Sequence, residues 1–457
     1  MKEVGCWVAI QAMSASYIPY CPQQQQLLPC ALQDWLPEGH LAYFISDTVD
    51  SLNLGAFHAR YAKDGPRNQP FHPAMMVKVL VYAYASGVFS SRKIAKKLHE
   101  DVAFRVLAAD NFPAHRTIRD FRALHLAEFT ELFTQVVRLA REMGLVKLGT
   151  IAVDGTKIKA NASRHKAMSY GRMQSTEIEL KAQIEAMLKK AASMDEAEKA
   201  EPDLDIPAEI ERRQERLAAI EAAKARLEER QRQMDTLRGR SEGDERKPKD
   251  KSGKPRGGKP YQRDFGVPPA KAQDSFTDPE SRIMKRAGGG FDYSYNAQTA
   301  VDESNHIIVA AEVVNTSSDV HQLVSVLQAV KASTQADPQQ VLADAGYRSE
   351  EEMAKLAKER PDTELVIALG REGREQAKPM DAQRYPHTVA MQAKFQTDKG
   401  KADYRKRKWI AEPPNGWIKN VLGFRQFSMR GLEKARAEFK LVCMALNLRR
   451  IGAMRMA

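Results

Sequence analysis

Two short apolar runs, each closed by an aspartate, constrain the fold of this chain more than any other feature. Leu148-Gly149-Thr150-Ile151-Ala152-Val153 leads into Asp154-Gly155-Thr156, and Gln340-Val341-Leu342-Ala343 leads into Asp344-Ala345-Gly346-Tyr347. Runs of this length and composition read as buried strands. A strand that ends in an acid projects a carboxylate from the edge of a sheet. Taken alone, Asp154-Gly155 also reads as an ordinary Asp-Gly turn. Between the two runs, Tyr293 to Asp302 alternates as a strand, Asp302 to Asn305 turns, and His306 to Val314 returns as the second arm of a hairpin. Ser317-Ser318-Asp319 caps a helix through about Ser333, Ser349 caps another, and Glu364 to Ala368 is a last short strand. In a mixed sheet whose first and fourth strands lie side by side, Asp154 and Asp344 become neighbours.

The rest of the chain divides around this pattern. Residues 1–34 are rich in Gln and Pro and read as an extended lead-in. Lys2 and the apolar Val4 to Ile10 give that start a weak signal-peptide look, broken by Glu3 and Gln11; the other reading makes Met13 the start. Residues 35–146 carry apolar positions at helical spacing, such as Met75, Met76, Val79, Leu80 and Ala83. Within them, Ser90 to Leu98 and Ala114 to Arg122 predict two short helices with basic faces. Arg92, Lys93, Arg116 and Arg119 suit a helix-turn-helix-like contact with DNA, or simply a solvated surface. Residues 165–269 change character. Leu180, Ile184, Met187 and Leu188 mark one helix, and Leu217, Ile220, Leu227 and Met234 another, with an acidic turn from Glu196 to Pro207. The basic, Gly- and Pro-rich Arg246 to Arg263 follows as a flexible linker. This block reads as a helical-hairpin insertion. It splits an α/β domain of residues 147–164 and 270–452.

Charge is concentrated at the far end. From Arg405 to Arg455 there are 13 Lys or Arg against 3 acids, whereas the whole chain carries a net charge of only +12. Such a balance favours a polyanionic partner, nucleic acid or an anionic membrane surface. No apolar run approaches the ~20 residues needed to span a bilayer, and four scattered cysteines make neither a disulfide framework nor a zinc site, so a reducing cytoplasm is expected. Glu412 is a lone acid in this basic field: a counter-ion of its neighbours, or a metal ligand beside a bound polyanion. Because Pro is tolerated in a first helical turn, Glu412-Pro413-Pro414 predicts a helix beginning at or just after Glu412. Glu350, Glu351 and Glu352 favour a helix N-terminus, Glu433 is a weaker rival to Glu412, and Trp409 and Trp417 are read as core. Crowded carboxylates repel one another unless cations neutralise them, and hard oxygen donors suit Mg²⁺ or Mn²⁺.

These motifs resemble the bacterial insertion-sequence transposases of the DDE type. The likeness runs through His72-Pro73, Ser90 to Lys93, Val153 to Lys157, Tyr295 to Gln298, Ala343 to Tyr347, Arg425 to Phe427 and Arg430 to Leu432. It implies an α/β fold: a ribonuclease H-like mixed sheet flanked by helices, an all-α N-terminal domain, and a helical-hairpin insertion after the first catalytic strand. It further implies Asp154, Asp344 and Glu412 as catalytic metal ligands for two Mg²⁺ ions, with Mn²⁺ able to substitute. Two such ions ~4 Å apart activate water or a 3′-hydroxyl and stabilise the leaving oxygen of a phosphodiester. The group's tyrosine, arginine, glutamate and lysine signature falls on Tyr404, Arg407, Glu412 and Lys419, with one extra residue between Arg407 and Glu412. That insertion rotates the arginine by about 100° on a helix and makes Lys408 a competing candidate. Arg425 and Arg430 complete the expected DNA contacts. The implied partners are double-stranded DNA, as terminal inverted repeats and as target, and a second copy of the chain. The implied chemistry is cut-and-paste cleavage and strand transfer, the alternatives being an inactive DNA-binding derivative or a nuclease without strand transfer.

Overall fold

The computed structural model describes residues 31–61, 69–194, 206–243, 261–286, 288–370 and 381–456. Most of the lead-in, the acidic turn and much of the basic linker therefore lie outside the described residues. A 3₁₀ turn at Leu32–Trp35 precedes seven helices: α1 (Leu41–Ser51), α2 (Gly55–Ala59), α3 (Pro73–Ala85), α4 (Ser91–Glu100), α5 (Val102–Leu107), α6 (His115–Leu124) and α7 (Leu126–Glu142). Pro73 opens α3 at a position where its missing N–H costs nothing. From Met75 to Ala85 only Lys78 escapes burial, so α3 is the axis of this region rather than an amphipathic surface helix. The two basic helices fall where expected, as α4 and α6, with α5 between them. Arg92, Lys93, Arg116 and Arg119 are all exposed.

Next come β1 (Thr150–Lys159), β2 (Ala167–Ser169), α8 (Tyr170–Met194), α9 (Ile206–Leu237), β3 (Gln273–Ser275), β4 (Arg282–Lys285), β5 (Phe291–Asp302) and β6 (Ile308–Val314). The chain continues with α10 (Leu323–Thr334), β7 (Gln340–Ala343), α11 (Glu350–Glu359), β8 (Glu364–Ile367), α12 (Pro386–Gln396), α13 (Asp398–Gly416) and α14 (Leu432–Met456). The main sheet has β1 at its centre, antiparallel to β5 and parallel to β7; β8 continues beyond β7, and β4 and β6 lie along the other edge of β5. Ile151, Ala152 and Val153 are wholly buried because helices cover both faces, which is why this strand reads as a continuous apolar run. The expected mixed α/β sheet with an all-α N-terminal region is what the chain forms.

Packing joins the parts. In the insertion, α8 and α9 run antiparallel: Tyr170 bonds Glu228, Lys181 pairs with Glu221, and Met187 meets Arg213. Leu180, Ile220 and Leu227 lie between them in a small core of their own. The long C-terminal α14 packs on β6 and also on α3 and α7, so the N-terminal helices and the sheet share one hydrophobic core. A buried network fastens the same junction. Arg122 Nη1 donates to Tyr84 Oη (2.6 Å) and to the Phe89 carbonyl (2.9 Å), and Tyr84 donates to Glu438 Oε1 (2.9 Å). Glu438 Oε2 accepts the backbone N–H groups of Ser428 and Met429. Burial pushes the Tyr84 phenol well up, so it stays a neutral donor. Removing one member of such a network leaves a buried charge unpaired, at a cost of roughly 3–5 kcal/mol.

Two boundaries differ from the sequence reading. The helix expected to start at Ser317 starts at Leu323, leaving Asp319 in the connection from β6. The helix expected to start at Glu412 starts at Asp398 and runs through Pro413 and Pro414. Pro413 has no N–H for the Trp409 carbonyl four residues back. His306 fills the gap, donating from Nε2 to that carbonyl at 2.8 Å with its ring edge-on to Trp409. A π-helical turn, Trp417–Val421, follows directly.

Candidate active site at the ends of two parallel strands

Asp154 and Asp344 are placed by strand register. Val153 of β1 pairs with Ala343 of β7, so the next residue on each strand is an aspartate. At that point β7 ends and turns away while β1 continues along β5, opening the edge of β1 beside the two acids. Asp344 uses Oδ1 to accept the Gly346 N–H at 2.8 Å, which fixes the turn that follows it. Asp154 lies against α13. Asn415 Nδ2 donates to Asp154 Oδ2 at 3.1 Å, and the Arg407 guanidinium stands 3.5 Å from Oδ1. Burial raises the Asp154 carboxyl to about 6; Asp344 and Asp319 push in the same direction, and Arg407 and Asn415 only partly oppose them.

Arg407, Ala411 and Asn415 follow one another at intervals of four along α13 and form its inward face. Of the two candidates for the signature arginine, Arg407 is the one turned towards Asp154. Lys408, its competitor, is exposed. Glu412 is also exposed, one residue round from buried Ala411. The structure thus joins Asp154 to Asp344 but leaves Glu412 on the flank of the helix that covers them. Among the described residues, no group of three or more His, Cys, Asp or Glu side chains is arranged to hold a metal ion. Asp154 and Asp344 nevertheless fit a divalent cation: they are hard oxygen donors at one sheet end, and their mutual repulsion is incompletely offset.

Basic residues lie beside Asp154 and further along β1. Lys419, in the π-helical turn, bonds the Thr156 hydroxyl, and burial lowers its ammonium, with Arg425 and Lys157 pushing the same way. Arg425 braces that turn, donating to the Lys419 carbonyl and to Asn420. Arg430 bonds the Asn161 carbonyl. Both arginines are exposed. Tyr404 is half-buried, edge-on to Phe395 with Arg407 over its ring. Trp409 and Trp417, read as core, are 47% and 38% exposed: one lies against His306, the other under Arg449. Glu433 lies at the start of α14 and Glu350 to Glu352 form the first turn of α11, as their sequence positions suggest.

Two polar residues of the site escaped the sequence reading. Asn415 follows Arg407 by eight residues, a helical spacing that shows only if the helix is allowed through the prolines. Asp319 was assigned to a helix cap. It instead accepts Asn296 Nδ2 and Gln298 Nε2 from β5, each at 2.7 Å, and meets Lys157 Nζ at 3.4 Å.

Comparison with known proteins finds two matched segments. Residues 31–124 match a family model described as a transposase domain (DUF772), and residues 264–448 match one described as a transposase DDE domain. No curated protein and no solved structure matches the chain. Among the described residues no helix is long and apolar enough to cross a membrane. Helical region, sheet-end aspartates and both family matches agree, and the chain belongs to the insertion-sequence DDE transposases.

Proposed function

We propose that this transposase binds the terminal inverted repeats of its own element, cuts there by metal-dependent phosphodiester hydrolysis, and joins the freed 3′ ends to target DNA. The observation that carries this reading is the pairing of Val153 with Ala343, which brings two carboxylates to one sheet end, with Arg407 and Lys419 beside Asp154. Asp154 and Asp344 would hold divalent cations, two Mg²⁺ ions or Mn²⁺ in their place, and Glu412 would join them by side-chain movement or a small rotation of α13. Such ions supply an activated water or 3′-hydroxyl and stabilise the leaving oxygen. The chain's own residues position the reactants. Arg407 and Asn415 orient the Asp154 carboxylate, while Lys419, Lys157, Arg425 and Arg430 hold the DNA backbone on the open side of β1. The exposed cations of α4 and α6 would grip flanking duplex. Activity on two ends calls for two copies on DNA, and we place their contact on the insertion, which exposes Ile178, Leu188, Met234 and Leu237.

The decisive experiment is a cleavage and strand-transfer assay in Mg²⁺ on DNA carrying the repeats that flank the gene, comparing wild type with Glu412→Gln. Joined products from wild type alone support the reading and its third acid. Cutting without joining makes the protein a nuclease. Binding without cutting in either metal leaves only a repeat-specific DNA binder.

A further inference from the structure

We propose that the turn between β4 and β5 is a wedge for duplex DNA, its Phe291 ring entering between stacked bases about eight base pairs from the phosphodiester held at Asp154. The inference rests on the reading that the Asp154 face of the sheet receives DNA. Register places the ring on that face. Asp154 pairs with Thr299, Thr156 with Ala297 and Ile158 with Tyr295, so the odd-numbered residues of β5 share the face of Asp154. Phe291 and its cross-strand partner Lys285 continue that series past the end of β1. Phe291 stands eight residues from Thr299, which at a strand's rise is about 26 Å from the level of the acid, or about eight steps of B-DNA.

The tip is exposed and narrow. Phe291 is 62% exposed, more than any other aromatic among the described residues. Gly288, Gly289 and Gly290 lead into it, and a Cβ at any of them would have nothing within 4 Å. Gly289 and Gly290 take the left-handed backbone that favours glycine. The Arg286 N–H donates to the Gly290 carbonyl at 3.0 Å and the Gly289 N–H to the Arg286 carbonyl at 3.1 Å, so the turn is closed by its own hydrogen bonds. On the opposite face Arg286 pairs with buried Asp292, which leaves Lys285 beside the ring. Charge decides the partner. Lys419 at Thr156, Arg425 at Lys159 and Arg430 at Asn161 make a basic row leading from Asp154 towards the tip. A polyanion laid along that row meets Lys285 and Phe291 next. Phosphates suit the cations. A phenyl ring offers a phosphate nothing, and beside a duplex its gain comes from the faces of bases.

Base unstacking is the readout. Full-length protein is bound, in EDTA so that nothing is cut, to duplex carrying the repeat that flanks the gene, with 2-aminopurine moved in turn along it; this base brightens when unstacked. We expect brightening about eight base pairs from the cleavage point. Phe291→Ala should lose it, bind roughly 5- to 100-fold more weakly and melt with wild type, since an exposed side chain leaves no cavity. Phe291→Trp should keep it. Lys285→Gln should keep the brightening and reduce the salt slope of binding by about 1. Tight binding by wild type with no position brightened overturns the proposal, as does brightening that survives in Phe291→Ala. So does self-association without DNA that Phe291→Ala abolishes, which would make the tip a contact between copies of the chain. Wild type that binds no repeat DNA removes the DNA reading of the whole face and this inference with it, an outcome distinct from failure of the tip alone.

Discussion

The two sides of the candidate active site are built by different rules. The sheet side is set by a ladder: once β1 and β7 pair in parallel, Val153 facing Ala343 makes the neighbouring positions of Asp154 and Asp344 unavoidable. The helix side is set by rotation, where one residue turns a side chain by about 100°. Along α13, Arg407 and Asn415 point inward and Glu412 does not. A strand end tolerates no error of register without losing its buried face, whereas a helix can present a different residue by turning slightly. The sheet acids are thus a fixed half of the centre and the helix an adjustable half.

The largest test of that division is loss of a sheet acid. Asp154→Asn and Asp344→Asn should each lower DNA cleavage by about 10³-fold or more, since the stabilisation supplied by metal-held charge is worth several kcal/mol. Cleavage within tenfold of wild type by either variant would remove the strand ends from the chemistry. On the helix side, Arg407→Ala should cost about 10- to 100-fold in cleavage, as loss of a group that orients a metal-holding carboxylate does. Lys408→Ala should change only the salt dependence of DNA binding. The reverse ranking would mean that α13 turns on binding DNA.

A third test is thermodynamic. The Asp154 carboxyl is raised to about 6 in the folded protein from an ordinary 3.8. The native state therefore holds this proton more tightly than the unfolded chain. The associated stability is full below pH 4 and is lost as pH rises through 6. In EDTA at pH 7.5, Asp154→Asn should be more stable than wild type by roughly 2 kcal/mol in denaturant melts, and added Mg²⁺ should narrow the gap. Equal stability from pH 4 to 8 would show that Arg407 and Asn415 already neutralise the acid.

The smallest expected effect bears on the adjustable half itself. His306→Ala should cost about 1 kcal/mol by freeing the Trp409 carbonyl. Pro413→Ala restores the N–H that this carbonyl lacks, so it should make His306→Ala nearly harmless in a double-mutant cycle. Additive losses would show that His306 does not substitute for the missing helical bond.

The same contrast explains what could be read from sequence. The strands, the hairpin and the two acids were legible because buried β runs and their ends are local signals. The rotation of α13 was not, because it depends on His306, a residue about a hundred positions away that carries the helix past Pro413. Asp319 was misread for a related reason. Ser-Ser-Asp is a sound local cap signal, but two amides on β5 compete for its carboxylate and the helix begins four residues later. Trp409 and Trp417 were read as core because tryptophans usually are, yet each found a surface cation or ring partner instead.

The position of α14 bears on how the molecule comes into being. This last helix completes the packing of α3 and α7, which leave the ribosome some three hundred residues earlier, and Glu438 on it closes the network begun by Tyr84 and Arg122. Contacts so distant in sequence form late and slowly. During synthesis the N-terminal helices must wait with apolar surface uncovered. A copy of the gene truncated before α14 should then yield a chain prone to aggregation and degradation rather than a free-standing DNA-binding fragment able to occupy the element's ends and block its intact relatives.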